Sequence, residues 1–575
     1  MGGVISKMNL NQEKRWLISP KITPQAEEAL SAFSPIMRQL LFNRGYATDE
    51  DARAYLRAET RFDTDPFQLT GISETVARIR YAHNHNEPIA IYGDYDVDGV
   101  TATALLVQAI RNLGGIVRGY IPNRFDEGYG LNNEALSTLS AEGVKLVITV
   151  DCGIRSPEEA AHARKIGLDL VISDHHQPAE GELPPTFAVI NPKQTGDSYP
   201  DKDLAGVGVA YKLAQALYKN IEQPVGGFQM DDLLDLVALG TVADLAPLVG
   251  ENRVLVRKGL EKIHQTKRQG LFSLAAVSDL ALSRVTATNI GFVLGPRLNA
   301  AGRLESALAA FDLLTTTEVK TAGELAQLLN VQNRQRQEIT RKIQAEAEAM
   351  IQADDPAADL LFAVHPDFNA GVVGLAASRL VETYYRPAVV GQVSADMTRC
   401  SCRSIPEFHI TEALDRCKDL LIRHGGHAAA AGFTVTNENL EALKQRLKSD
   451  AAEQLRGRDL RQTLTADVEV LLSDLKPELL KHLDYLQPTG YGNPEAMFVS
   501  RDVRVTKNRT VGAEAKHLKL VVTDGRVTFD AIGFRLGQLQ PDIPLRVDLL
   551  YTFESNEYNG RASLQLNLKD VRPAG

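Results

Sequence analysis

Between residues 88 and 193 short apolar runs alternate with amphipathic segments, and this alternation limits the possible folds more than any other feature of the chain. The runs are IAIYGDYD, VRGYIP, KLVITVDCG, DLVISDHH and AVINPK, with helix-like stretches such as VTATALLVQAIRNLG and SPEEAAHARKIG between them. Apolar runs of strand length separated by helices are the pattern of parallel βα units, because a parallel partner strand is reached only through a crossover. The expected class is α/β with a doubly wound parallel sheet. Ser156 followed by Pro157 suits the N-cap and first position of one crossover helix.

In such a sheet, ligands gather beyond the carboxyl ends of the strands. Three of those ends carry chemistry: Asp94, Asp96 and Asp98; Asp151; and Asp174-His175-His176. Asp244 directly follows the apolar helix DDLLDLVALGTVA, residues 231–243. Clustered acids repel one another unless a cation neutralises them. Asp94, Asp96, Asp98, Asp151 and Asp244, with the imidazole of His175, are a donor set for two divalent ions. Such a pair supplies what phosphodiester hydrolysis needs, a hydroxide nucleophile and neutralisation of phosphoryl charge. The mixed carboxylate and imidazole set suits Mn²⁺ better than an all-oxygen Mg²⁺ site. Asp98 serves equally as an N-cap before Gly99. His176 is open to ligation, packing, phosphate contact or leaving-group protonation, with the last two favoured, and Asp174 is placed to orient a ligating imidazole. Arg124, after the strand GYIPN, is placed to clamp a phosphate at the same edge.

Beyond this domain, ELAQLLNVQNRQRQEITRKIQAEAEAMIQ has helical spacing without Gly or Pro and is expected to connect domains. Residues 358–450 return to mixed strand and helix signals. From about residue 463 the pattern becomes strand-like alternation, with Asp524-Gly525 and Asn559-Gly560 as hairpin turns, which predicts a small closed barrel of the OB type. The expected organisation is an N-terminal helical segment (1–70), the catalytic α/β domain (71–315), a connector helix (316–355), a second α/β domain (356–455) and the OB-like barrel (460–575). The basic cluster RDVRVTKNRT, with Lys516, His517 and Lys519, suits a strand-guiding face, and aromatics such as Tyr491 suit base stacking.

A formal net charge of −10 argues against a chain that coats nucleic acid, and leaves binding in a local groove. The four cysteines form no C-x-x-C pair, so neither a zinc site nor a disulfide scaffold is expected. No apolar run of membrane-spanning length occurs and the first residues lack a signal-like segment, so no membrane partner and a cytoplasmic location are expected.

DYDVDG followed by VDCG and SDHH resembles the DHH phosphoesterase superfamily. IPNRFDEGYG, AGVGVAYKL, DLVALGTVADLAPL, GPRLNAAGRL, GVVGLAASRL and GGHAAAAGF, in this order, are most similar to its bacterial single-strand-specific DNA exonucleases, over roughly residues 30–572. The resemblance implies a DHH catalytic domain, a DHH-associated substrate-binding domain and an OB-like domain. It also implies 5′-to-3′ exonuclease action on single-stranded DNA with Mn²⁺ or Mg²⁺, in DNA repair and recombination. Implied metal positions are Asp94, Asp96, Asp98, Asp151, His175 and Asp244, with Asp151, Asp174, His175 and His176 catalytic. Arg124, Arg303, Ser378, Arg403, Ser404, Gly425, Gly426 and His427 are implied substrate contacts. A single-strand-binding protein and a helicase are implied partners of a monomeric enzyme. RCSCRS at 399–404 departs from a glycine-rich turn of the family: Arg403 and Ser404 are kept, while Cys400 and Cys402 are expected to make that turn wrap a phosphate less closely. The residues also admit a hydrolase of small phosphoesters (cyclic dinucleotide, short oligonucleotide or pyrophosphate) and an inactive scaffold.

Overall fold

The structure is a computed structural model that describes residues 13–123, 127, 130–219, 229–558 and 561–575. The chain divides into two compact units. The larger comprises Ile18–Asn330 and Thr465–Gly575, and the smaller comprises Val331–Leu464 with the described residues up to Leu17.

The larger unit is organised by five parallel strands: β1 (Ile89–Gly93), β2 (Val117–Tyr120), β3 (Leu146–Val150), β4 (Asp169–Ser173) and β5 (Ala188–Ile190). Their spatial order is β2-β1-β3-β4-β5. The three central strands are mostly apolar and almost wholly buried because helices cover both faces of the sheet. Ile91, Ile148 and Val171 enter the core on one face, and Tyr92, Val147 and Ile172 enter that on the other. The strand order reverses between β1 and β3, which opens a crevice at their carboxyl ends.

Three helices close on that crevice: α1 (Val97–Asn112), α2 (Gly206–Tyr218) and α3 (Leu234–Ala243). Helix α3 is apolar apart from Asp235 and Thr241 and is buried over almost its whole length, as expected of a central helix. Helix α4 (Gly250–His264) follows it, and α5 (Gly295–Leu304) carries the motif GPRLNAAGRL.

The connector expected from the sequence is α6, Val319–Asp354, whose 36 residues correspond to about 54 Å of helix. Within the smaller unit, β6 (Leu361–His365), β7 (Ala388–Val393), β8 (Met397–Arg403), β9 (Leu421–His427) and β10 (Ala430–Thr436) form a sheet of order β9-β10-β8-β7-β6, packed against helix α7 (Val373–Tyr384). RCSCRS therefore is not a turn. Most of it lies in β8, an interior strand, and Cys400 and Cys402 are buried in the core rather than exposed to a ligand. Alternating residues of a strand face the same side, so the two cysteines replace small residues on a packed face.

The C-terminal region is a closed barrel of β11 (Phe498–Val511), β12 (His517–Thr523), β13 (Thr528–Gly533), β14 (Arg546–Tyr558) and β15 (Arg561–Pro573). Pairing of β11 with β14 closes it, and β13 and β15 run parallel. Asp524-Gly525 forms the expected turn, with Gly525 at φ +89°, while Asn559-Gly560 lies outside the described residues. An unexpected helix, Pro477–Asp484, interrupts the strand pattern before the barrel. The helices Pro35–Asn43 and Asp49–Arg57 share one apolar core with the barrel, where Leu40, Leu41 and Tyr55 belong to the same cluster as Phe498 and Tyr551.

Candidate metal centre

Sheet register brings three acids into one row. Gly93 is opposite Val150, and Val150 is opposite Ser173. The next residue on each strand is an aspartate, so Asp94, Asp151 and Asp174 stand side by side at the β1, β3 and β4 ends. Asp151 sits at φ +61°, a left-handed backbone in which aspartate is among the better-tolerated side chains.

Asp96 is the N-cap of α1 and accepts from the N–H groups of Asp98 (2.9 Å) and Gly99 (3.1 Å). The alternative of Asp98 as that cap is thereby overturned: it lies inside the first turn, fully buried. Asp98 instead caps a different helix. Its carboxylate accepts from Gly206 N–H at 2.7 Å and Val207 N–H at 2.8 Å, at the start of α2. Two glycines permit these approaches. A Cβ on Gly206 would lie 2.8 Å from Asp151 Cβ, and one on Gly240 of α3 would lie 2.8 Å from Asp98 Oδ1 and 2.3 Å from Thr101 Oγ1.

Around this cradle the donors converge. His175 Nε2 lies 3.1 Å from Asp151 Oδ1, 3.8 Å from Asp244 Oδ2 and 3.9 Å from Asp98 Oδ2. Three overlapping groups each bring ligand atoms within 4.8 Å of one another: Asp94, Asp96 and Asp151; Asp98, His175 and Asp244; and Asp151, His175 and His176. Asp151 and His175 belong to two groups apiece, so adjoining ion positions would share ligands.

The charges show what the cradle lacks. Burial, then Asp96, pushes the Asp98 carboxyl up to about 7. Burial, then Asp98, pushes Asp244 up to about 9 and Asp151 well above the carboxylate range. Asp151 Oδ1 and His175 Nε2 are buried without a hydrogen-bond partner. Buried anions in contact, with donor atoms left unsatisfied, fit a pair of divalent cations by their chemistry.

The adjacent histidines differ. Burial, then the His176 charge, lowers His175 to about 3, so it is neutral at ordinary pH and able to ligate a metal. His176 is raised to about 9 against the effect of its burial, because its Nδ1 is hydrogen-bonded to Asp174 Oδ1 at 2.8 Å. Asp174 also accepts from the backbone N–H groups of Ile154, His175 and His176. Despite complete burial it is held below its ordinary value, chiefly by the His176 bond. It thus orients His176, whereas sequence reasoning placed it behind a ligating imidazole.

Among the remaining expected positions, Arg124 lies outside the described residues. Arg303 is on α5, whose end abuts the DYD loop: a Cβ on Gly302 would lie 2.6 Å from Tyr95 O. Ser378, Arg403, Ser404, Gly425, Gly426 and His427 all belong to the smaller unit. There Arg403 guanidinium lies near Gly374, Ser378 Oγ donates to Gly374 O (3.1 Å), and Ser404 Oγ donates to Phe408 O (2.6 Å). Gly425, Gly426 and exposed His427 end the edge strand β9.

Two residues went unnoticed in the sequence. Asn299 accepts from Val97 N–H at 3.2 Å and ties α5 to the start of α1. Lys193, just beyond β5, lowers both His175 and Asp244 by its charge, and its N–H donates to Asn191, whose amide holds His176 O. The run NPK after the last strand was the available signal.

This sheet and the donor set at its carboxyl edge define a DHH-type phosphoesterase domain. The DHH family N-terminal domain matches residues 88–241, the DHHA1 domain 358–453 and the RecJ OB domain 466–570. The chain belongs to the RecJ family of single-stranded-DNA-specific exonucleases. The Bacillus subtilis (strain 168) exonuclease RecJ is 38% identical over 542 residues, which cover 94% of this chain and 68% of that protein. The crystal structure of Thermus thermophilus RecJ with Mn²⁺ superposes with TM-score 0.83 at 29% identity, covering 98% of this chain and 80% of that one. Its counterpart with Mg²⁺ gives 0.78 at 28% identity, with coverage of 98% and 79%.

Proposed function

We propose that the protein is a single-stranded-DNA-specific 5′-to-3′ exonuclease that uses two divalent ions, Mn²⁺ or Mg²⁺, in DNA repair and recombination. The observation that carries the chemistry is the convergence of Asp94, Asp96, Asp98, Asp151, His175 and Asp244 into overlapping ligand groups at one sheet edge. Family membership supports the strand specificity and the polarity. A monomer acting with a single-strand-binding protein and a helicase is what the resemblance in sequence implies. Among the described residues no helix is long and apolar enough to cross a membrane, and a cytoplasmic setting suits DNA as the substrate.

Bound at these ligands, a pair of divalent ions supplies a hydroxide nucleophile and neutralises charge on the phosphoryl oxygens. The protein does the positioning. Asp98 and Asp151 are fixed by helix α2 and by a constrained backbone, so the ligand geometry is set before substrate arrives. His176, protonated at neutral pH and locked through Nδ1, offers Nε2 to a phosphate oxygen or to the leaving oxygen. Lys193 adds positive charge at the same edge, and Arg303 on α5 is a proposed substrate contact. In the smaller unit, Arg403, Ser378, Ser404 and the Gly425-Gly426-His427 run are the proposed contacts to the DNA backbone, by bidentate, hydroxyl and main-chain donors.

The test is digestion of end-labelled single-stranded and duplex DNA with Mn²⁺, beside a cyclic dinucleotide and pyrophosphate. Release of mononucleotides from the 5′ end of single strands alone is expected. Turnover of the dinucleotide with every DNA intact would replace this function by a small-phosphoester hydrolase. Asp151→Ala is expected to abolish cleavage while circular dichroism stays native, and an active variant would remove the metal assignment.

A further inference from the structure

In the larger unit, a loop of the barrel domain, YLQPTGYGN at 485–493, meets the segment that carries Asp244. Leu248 N–H donates to Tyr491 O at 2.7 Å. The glycines on either side of Tyr491 permit this contact: a Cβ on Gly490 would lie 2.8 Å from Leu248 Cδ1, and one on Gly492, at φ +75°, would lie 3.0 Å from Pro247 Cβ. The loop is pinned from behind as well. Arg253 on α4 donates to Tyr485 O (2.9 Å) and Gln487 O (3.0 Å), and Asn493 Nδ2 donates to Leu486 O (2.9 Å) and Pro488 O (2.7 Å).

Yet the residue at the centre of this network, Tyr491, is 65% exposed. Leu245, which follows Asp244 directly and has φ +61°, is 68% exposed. A single exposed aromatic is ordinary. An exposed aromatic whose backbone is held on both sides, and whose carbonyl is bound just downstream of a metal-site aspartate, is a preorganised surface: its ring has only two side-chain torsions to fix on binding. Unpaired nucleobases stack on such rings whatever their sequence, because every base has a π-face. A paired base in a duplex has both faces covered by its neighbours.

We propose that Tyr491 is a nucleobase platform that holds one unpaired base of the DNA strand beside the metal centre. This rests on the exonuclease function proposed above and extends it, because it assigns part of the single-strand preference to a residue of the barrel domain. Phosphate contacts recognise backbone, whereas this contact recognises the base.

The test uses the full chain with Mn²⁺ and two substrates of equal length, an oligodeoxythymidylate and a strand of the same length with abasic sites throughout its interior. On the thymidylate, Tyr491→Ala is expected to raise KM about tenfold with kcat maintained, and Tyr491→Phe to keep the wild-type KM. On the abasic strand, wild type and Tyr491→Ala are expected to be alike. An equal change on both strands, or no change on either, overturns the proposal, as does a lowered Tm with lost kcat on both, which marks a structural residue. Failure of the wild type on both strands sinks the exonuclease function itself, and the platform with it.

Discussion

At the scale of single residues, the cradle gathers acids whose mutual repulsion is relieved either by protonation or by a cation, and this has a pH signature. Asp98 and Asp244 are raised to about 7 and about 9, Asp151 is raised well above the carboxylate range, and His176 is raised to about 9. A group raised on folding contributes stability that is complete below its unfolded pKa and is lost as pH climbs through the folded value. His175 has the opposite sign, since its lowered value costs stability as pH falls below about 6.5. Above that point all the shifts act together. The metal-free protein is therefore expected to lose thermal stability between about pH 6.5 and pH 9, and Mn²⁺ to restore more of it the higher the pH. Melting curves with EDTA and with Mn²⁺ across this range check it, and a flat EDTA series would contradict the charge assignment. The convergence of the aspartates and His175 was legible because strand ends and residue types point to one crevice. The inverted roles of Asp96 and Asp98 were not, because which helix a carboxylate caps depends on a partner about 110 residues away.

At the scale of elements, the site is made by helices that approach closer than side chains normally allow. Helix α3 reaches Asp98 only because Gly240 has no Cβ. Gly240→Ala gains the small helix preference of alanine but places a methyl against Thr101 Oγ1 and the Asp98 carboxylate. The net expectation is a loss of about 1–2 kcal/mol in denaturant unfolding, with weaker Mn²⁺ binding by calorimetry. Unchanged stability and affinity would mean that α3 can shift without cost. Periodicity announced the parallel strands, the connector helix and the barrel strands, since each has its own repeat. It failed at RCSCRS, where family likeness suggested a turn and the residues instead alternate across an interior strand, and at Pro477–Asp484, whose eight residues are too few for a clear helical period.

At the scale of the whole molecule, two units with separate cores need not unfold together. Among the described residues the candidate metal ligands all lie in the larger unit, so Mn²⁺ at about 100 times its dissociation constant is expected to stabilise that unit by about 2.7 kcal/mol. Differential scanning calorimetry should then show one transition displaced by Mn²⁺ and another left in place. Displacement of both by the same amount would show that the units melt as one. The larger unit itself is discontinuous in sequence. The N-terminal helices share their core with the barrel, and Arg253 of the catalytic domain donates to Tyr55 O as well as to the loop bearing Tyr491. No local pattern reports such a union, because apolar faces do not name their partners.

Read alone, the order of residues determined the α/β class, the row of acidic and imidazole groups at the strand ends and the kind of chemistry such a row can serve. Each of these follows from local periodicity and from the mutual repulsion of like charges. The tertiary structure alone decided which histidine is neutral and which is charged, which carboxylate holds which helix, and where an exposed tyrosine of the barrel meets the segment bearing Asp244. These depend on burial and on contacts between distant segments, and such quantities exist only once the chain has closed on itself.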